Sequence, residues 1–464
     1  QPLTQISELE AGYRIEKGDY KRPQQGKKAG NIYVDTEGAL MLDNAYVWGS
    51  FSYSRDNMTD VTYNSSIIDP YRGMPYYTAD SLPANWNNQY YDLKFRAATP
   101  KLLDKIFLGI EGSYKAYMGA KQRDPRTENN YYEIGFKPGI VVSLSDIHNI
   151  GLNLDYKNYK EESNMSQINI NNDPIYYELY GLGTAVKRIG SGRTTNYEGN
   201  QIGFGLQYNY KTFVDLLLSA NYSAKVEDVE LSFSYPKDEA TTKEQFFDLN
   251  LTAYKEFNDF THYVKLGFLN RKIDGIQYVT QYDNTLGNEG WQSLFKSIRS
   301  TYTSNITSAR YTFLINRGAE YDWKFDLGVL YNKQNDEYIL PYSFKNYENM
   351  VIDLGVKKNF VVSRYLNRRL LTGINYSYKN NLAGEYSYNG QHPEYSIVTD
   401  FEVNDFSYLT SDHNLINGSI VYSQQIKENS KINLLAKINV TWIGTNNPFF
   451  NDRIRNEFSI GMNF

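Results

Sequence analysis

Phe458-Ser459-Ile460-Gly461-Met462-Asn463-Phe464 closes the sequence on a strict alternation, with Phe458, Ile460, Met462 and Phe464 apolar and the residues between them polar or glycine. Successive side chains on a strand point to opposite faces, so such a segment has one apolar and one polar face. The same period runs back through the chain. Ile432, Leu434, Ala436, Ile438, Val440 and Trp442 alternate with Asn433, Lys437, Asn439 and Thr441, with Leu435 the exception. Tyr321, Trp323, Phe325, Leu327, Val329 and Tyr331 alternate with Asp322, Lys324, Asp326 and Gly328. Ile202, Phe204, Leu206, Tyr208 and Tyr210 do so with Gln201, Gly203, Gly205, Gln207 and Asn209. The apolar face tends to end in Tyr, Trp or Phe. This is the pattern of a strand that meets lipid over about nine to eleven residues, with aromatic girdles at the two interfaces.

Composition agrees. Tyr contributes 44 of the 464 residues, Phe 23 and Trp 5, while hydrophobic residues total only 41%. A tyrosine has an apolar ring and a hydroxyl that stays hydrated, which suits a membrane–water interface. With 48 basic and 53 acidic side chains the net charge is −5, which speaks against a nucleic-acid partner. The absence of cysteine excludes a disulfide framework, thiolate metal sites and cysteine nucleophiles. No apolar run approaches the roughly 18–20 residues of a membrane-spanning helix. The polar start at Gln1 reads as a processed chain rather than a signal peptide. Composition alone leaves a soluble β-solenoid or a membrane barrel. A solenoid repeats at a fixed period with similar connections, whereas here short and long connections alternate.

The segments lie near 43–55, 90–98, 104–118, 131–144, 147–162, 197–211, 213–234, 243–257, 259–281, 304–317, 319–336, 346–361, 366–382, 411–426, 429–444 and 454–464. They predict a transmembrane antiparallel up-and-down β-barrel of about sixteen strands, within a range of about 14–18. Long connections fall near 56–89, 119–130, 163–196, 235–242, 282–303, 337–345, 383–410 and 445–453. Outer-membrane barrels have short periplasmic turns and long extracellular loops, so an even strand number puts both termini in the periplasm. Residues 1–42 carry Arg14, Lys17, Lys21, Arg22, Lys27 and Lys28 against Glu16 and Asp19, then a short alternation around Ile32 and Val34. They read as a periplasmic or lumenal extension, with an extra strand or strand pair as the alternative, and 43–464 as the barrel.

The final strand resembles the C-terminal strand of outer-membrane proteins, in which residues at the positions of Phe458, Ile460, Met462 and Phe464 are read by the barrel-assembly machinery. The Tyr-, Asn- and Lys-rich texture, the start at Gln1 and the segment Gly18-Asp19-Tyr20-Lys21-Arg22-Pro23 resemble large outer-membrane barrels of Bacteroidota. In particular the chain is similar to a family of barrels associated with TonB-dependent receptors and surface lipoproteins. The resemblance lies in texture and carries no residue-level role. It implies a bacterial outer-membrane location, contact with outer-membrane lipid, and an accessory role in nutrient or metal uptake beside a receptor and a lipoprotein. The stretch before the first clear strand is too short for the plug domain of such a receptor, so the chain is not expected to be one.

Candidate chemistry is sparse. Of the four histidines, His148 falls in a turn, His262 on an apolar face, and His392 and His413 near Glu385, Glu394, Asp400, Glu402 and Asp405. Solvated loop charges explain this last group more simply than a metal site, and no Ser/His or Asp/His pair has a catalytic spacing. No catalytic residue, metal or cofactor is therefore assigned, and the chain is not expected to be an enzyme. The inward face is expected to include Lys94, Arg96, Glu111, Lys115, Glu133, Lys137, Asp155, Asp248, Asp322, Lys324, Asp326, Asp353 and Lys357. Mixed charges there either set solute selectivity or pair with loops that fold inward. A sixteen-strand barrel is open unless filled, and the loops near 56–89 and 163–196 are long enough to fill it. Tyr71, Met74, Tyr76, Tyr77 and Trp86 make the first of these a candidate partner-binding loop, or else a self-packed cover. The leading expectation is an accessory subunit of an envelope uptake complex acting through its surface loops. The alternative is a passive porin for small hydrophilic solutes.

Overall fold

The computed structural model describes residues 6–42, 45–190, 192–287, 289–318, 320–428 and 430–464. The expected strand starts at 43, 319 and 429, and the start at Gln1, lie outside the described residues. The chain first forms β1 (Ile6–Gly18), β2 (Lys28–Leu42), β3 (Ala45–Val61), β4 (Thr78–Ala79), β5 (Ala84–Ala98), β6 (Ile106–Lys121) and β7 (Arg126–Ser143). It continues with β8 (His148–Ser166), β9 (Ile175–Gly181), β10 (Thr184–Ile189), β11 (Arg193–Lys211), β12 (Asp215–Leu231), β13 (Lys237–Phe257) and β14 (Phe260–Asp283). The rest is β15 (Gly290–Arg317), β16 (Glu320–Ile339), β17 (Tyr342–Ser363), β18 (Arg368–Ser387), β19 (His413–Gln425), β20 (Asn433–Thr445) and β21 (Arg453–Asn463). A π-helical turn, Ile397–Glu402, runs into the short helix α1 (Val403–Thr410). No helix of the described residues is long and apolar enough to cross a membrane.

All strands but β4, β9 and β10 form one 18-stranded sheet of antiparallel neighbours, closed where β21 pairs with β1. The fold is thus a closed antiparallel barrel, with two more strands than the sequence pattern marked. The extra pair is the hairpin β1–β2, and this corrects the reading of residues 1–42 as an extension. Leu9 and Tyr13 point outward, while Glu8, Glu10, Arg14 and Glu16 face the lumen. These charges resemble a solvated tail in sequence because their partners lie at the other end of the chain. Arg14 pairs with Glu457 at 3.0 Å, Glu16 with Arg455 at 3.0 Å and with Arg453, and Glu8 with Lys437 at 3.1 Å. The Ser7 and Phe464 backbones exchange two hydrogen bonds of 2.9 Å, so the start of β1 and the end of β21 share one rim.

Along β11 the outward residues Ile202, Phe204, Leu206 and Tyr208 are exposed apolar side chains, and the next outward residues, Asn200 and Glu198, are exposed and polar. The apolar stretch ends with Tyr210, nine residues from Ile202, which is the span a tilted strand needs to cross a bilayer. Matching residues recur around the wall, among them Leu93 and Phe95, Ile134 and Phe136, Leu152 and Leu154, Leu266 and Phe268, Leu327, Ile374, Ile438, and Phe458 and Ile460. A closed barrel with this belt is the architecture of bacterial outer-membrane proteins, and lipid is what covers the belt. Replacing Leu206 by Arg is expected to destabilise the inserted barrel by about 2–4 kcal/mol, checked by urea unfolding in vesicles.

Several connections are shorter than the sequence pattern suggests. The link between β6 and β7 is 122–125, that between β14 and β15 is 284–289, and that between β16 and β17 is 340–341. Beyond the belt water reaches both faces of a strand, so nothing imposes the period of two although the strand continues; β15 runs for 28 residues.

Candidate functional site in the barrel mouth

On the rim opposite the termini, three long connections fold inward together: 62–83, 167–192 and 388–412. β4 in the first pairs with β9 in the second, and β9 with β10, as a small three-stranded sheet. Tyr63, Ala79, Tyr177, Leu179, Ala185, Ile397 and Phe401 form one apolar cluster drawn from all three loops. Ile397, Val398 and Phe401 fall on one side of the helical segment, which is why 397–410 turns helical against this cluster.

Residues 62–83 are the innermost layer, and polar contacts fasten them to the wall. The Ile68 N–H donates to Glu161 of β8 at 2.7 Å, and the Thr127 hydroxyl of β7 donates to the Ser65 carbonyl at 2.7 Å. Lys121 of β6 pairs with Asp80, both side chains being 1% exposed. Arg72 lies between Glu161 of β8 and Glu227 of β12, at 2.8 Å from the latter, and its carbonyl accepts from Arg271 of β14 at 2.6 Å. Burial works against the Arg72 charge, but Glu227 and Glu161 outweigh it and hold its pKa above the usual value. Both glutamates are 1% exposed, so withdrawing Arg72 would strand two buried carboxylates. The tight bend that follows uses Gly73 at φ +90°, a backbone conformation that favours glycine, and a Cβ there would also press on Ile273.

A second fastening joins 388–412 to the rest. Asp405 of α1 pairs with Arg22 at 2.6 Å and with Lys345 of β17 at 3.2 Å, and Lys345 also pairs with Glu402 at 2.9 Å. Burial alone would raise the Asp405 pKa, but Arg22 and Lys345 outweigh it and hold it below the usual carboxylate range. A carboxylate depressed in this way stabilises the docked loop above its unfolded value near 4, and the contribution fades as pH falls through the lower folded value. Amide exchange in 397–410 is therefore expected to stay slow from pH 7 down to about 4 and to quicken only below it. Asp405→Asn should exchange fast throughout.

The structure buries Met74, Tyr76 and Trp86 and half-buries Tyr71 and Tyr77. This corrects the reading of these five as a partner-binding surface: apolar rings on a loop that can reach its own lumen pack there. Trp86 belongs to β5 rather than to the loop. Lys94 and Arg96 alternate with the outward Leu93 and Phe95 and so face the lumen, where Arg96 pairs with Glu111 and Lys115 pairs with Glu133 at 3.0 Å. Lys137, Asp155 and Asp248 line one wall pocket, and Lys324, Asp326, Asp353 and Lys357 line another. Asp322 sits apart. It lies at a β-bulge opposite Ile315 and Asn316 and pairs at the turn-side rim with Arg317 and Lys358. Phe458 and Ile460 are outward on β21, the strand that closes the barrel, and Phe464 is exposed just past its end.

The histidines are dispersed. His148 contacts Tyr208, His262 contacts Tyr311, His392 contacts Glu394, and His413 contacts Tyr20. No group of three His, Cys, Asp or Glu suited to a metal occurs among the described residues. Sequence reasoning missed Arg72, Glu161, Glu227, Lys121, Asp80, Lys345 and, as an ion-pair centre, Asp405. The one local signal was a lone cation followed by glycine, Arg72-Gly73, inside an aromatic loop.

The plug leaves two cavities, of about 570 and 640 Å³, with Gln24, Pro70 and Tyr71 lining both. The segment at the plug's tip thus divides the upper lumen. Among solved structures the chain is similar to BauA, the ferric preacinetobactin receptor of Acinetobacter baumannii, at 10% identity and TM-score 0.47, covering 99% of this chain and 80% of that one. It is similar to the outer membrane transporter YddB of Escherichia coli at 8% identity and TM-score 0.44, covering 100% and 81%. OpdK of Pseudomonas aeruginosa aligns at 9% identity and TM-score 0.37 over 99% of each chain. At such identities and scores these likenesses bear on neither substrate nor mechanism. No match was found among curated proteins. Residues 1–464 match throughout the model of a family of unknown function, DUF6850, and the chain belongs to that family.

Proposed function

We propose that the chain is a gated transport barrel, closed at its outer mouth by its own loops, with both termini periplasmic. The observation that supports this is Arg72, which its loop carries inward from β3 and β5 to Glu161 of β8 and Glu227 of β12, the two strands that flank β11. An inert filler would be fastened by apolar packing alone. This one is packed on the wall through Ile67, Met74 and Tyr76 and is also clamped there by buried ion pairs and hydrogen bonds, and a charged, water-accessible lumen lies beneath it. In planar bilayers the wild-type barrel is expected to be silent for most of the recording, and Arg72→Met to open in frequent steps. A steadily open wild type would make the chain a passive porin. A silent Arg72→Met would remove the gate.

A second reading, an accessory subunit that holds a receptor or a surface lipoprotein, is favoured by one feature. β13 pairs with β14 only as far as Gln277, and β16 with β15 only from Ser300, so the hairpin tip stands beyond its neighbours. It exposes Val279, Leu286, Leu294, Phe295 and Ile298, beside Phe233 and Tyr235. Mild-detergent purification from native membranes is expected to recover a stoichiometric partner that Phe295→Asp loses. Recovery of the barrel alone would count against this reading.

A further inference from the structure

Four tyrosines on consecutive strands, Tyr90, Tyr117, Tyr131 and Tyr159, stand in a row along the 640 Å³ cavity, with ring centroids 5.0, 5.2 and 6.1 Å apart. Gly199 on β11 seats the end of the row, since a Cβ there would clash with the Tyr159 ring. The cations around the cavity are all committed. Arg72 pairs with Glu161 and Glu227, Lys115 with Glu133, Lys225 with Glu227 and Glu244, and Arg453 and Arg455 with Glu16. No positive charge is spare for an anion. Asp56 accepts from Asn31, and Asp69 accepts from the Tyr71 N–H. Among the polar groups of the lining without a hydrogen-bond partner are the Trp86 indole N–H, the Asn88 side-chain carbonyl and the Tyr71 hydroxyl. Trp86 and Asn88 are each 1% exposed. Orphaned polar groups at that depth are costly unless something in the cavity answers them.

Aromatic rings on one side, acceptors and donors on the other and no free cation suit a neutral molecule with a C–H face and a hydroxyl edge. We propose that this cavity binds a short neutral saccharide. Its ring C–H groups pack on the tyrosine row, and its hydroxyls reach Asp56, Asp69, Asn88 and the Trp86 N–H. The volume lies within the range of about 300–1,000 Å³ typical of small-molecule sites. The assignment rests on the transport reading only in taking the sugar as the solute moved.

The test titrates the purified full chain, in a detergent without a sugar headgroup, with maltotriose, cellotriose, xylotriose and mannotriose by saturation-transfer NMR. Saturable binding of at least one is expected, insensitive to added salt. Tyr131→Ala should weaken it about tenfold or more, and Tyr131→Phe, which keeps the ring, should retain it. Should Tyr131→Ala fail to fold, Trp86→Phe removes the indole donor with a smaller loss of buried ring volume than truncation to Ala, and is expected to weaken binding with the barrel intact. Binding of none of the four, tighter binding of choline or citrate, or no effect of these substitutions overturns the proposal. Sugar binding by a barrel that never conducts would remove the transport reading and leave the site standing. A barrel that opens but takes no sugar would do the reverse.

Discussion

Replacing residues 64–82 by a short Gly-Ser linker should convert a barrel that blocks current into one that conducts without interruption. An 18-strand wall encloses a water-filled interior unless something occupies it, and this segment supplies the inner layer of what occupies it here. Its removal deletes Arg72, Asp80, Ile67, Met74 and Tyr76 together with the Ser65 and Ile68 backbone contacts. It also strips the underside from Tyr177, Ile397 and Phe401, so the outer loops lose their floor. The single change Arg72→Met is the milder version. Breaking a buried ion pair costs about 3–5 kcal/mol, which moves an open-to-closed ratio by roughly two to four orders of magnitude. Swelling of vesicles in small neutral solutes should follow the same order, with the loop replacement fastest and the wild type slowest. If the loop-replaced barrel inserts and stays silent, the lumen is closed elsewhere and the plug is not the gate.

A chain lacking residues 1–42 is expected to lose the folded barrel altogether. As an extension, this stretch would be dispensable, and 43–464 would still migrate as a heat-modifiable band. As β1 and β2, it carries the closing seam. β1 pairs with β21 from Glu8–Asn463 to Gly18–Arg453 on one side and with β2 on the other. Without it, Arg453, itself 5% exposed, loses Glu16, and Lys437 loses Glu8 and Glu10. The remaining strands could close only on a smaller circumference, into which the three-loop plug no longer fits, and Asp405 would lose its partner Arg22 with the deleted stretch. A truncated chain with native heat-modifiability would show that the seam contributes little.

The belt was legible along the chain because lipid imposes a uniform demand: every second residue apolar over the same length, on every strand that crosses. Ile202 to Tyr210 and Phe458 to Phe464 state it directly. The hairpin β1–β2 was legible only as an alternative, from the alternation around Ile32 and Val34, because its lumen face is charged and its outward face is thin, with Thr36 and Gly38 at its middle. The upper strand ends were lost for a related reason, since water on both faces sets no period. Lumen charges such as Lys137 and Lys357 could be placed on a face by parity alone. Asp322 could not, because a bulge resets parity without any mark in the residues around it.

The sequence by itself determined that the molecule is a membrane barrel, where its belt lies and which strand ends it. Each of these follows from local period and from a solvent that treats all strands alike. Only the tertiary structure decided whether the mouth is open, which ring of charges locks it and where a cavity remains. Arg72 meets Glu161 and Glu227 across 89 and 155 residues of chain, and Glu16 meets Arg453 across 437. Pairings of that kind are set by which strands the closed wall brings together, and by how far a loop can reach across it.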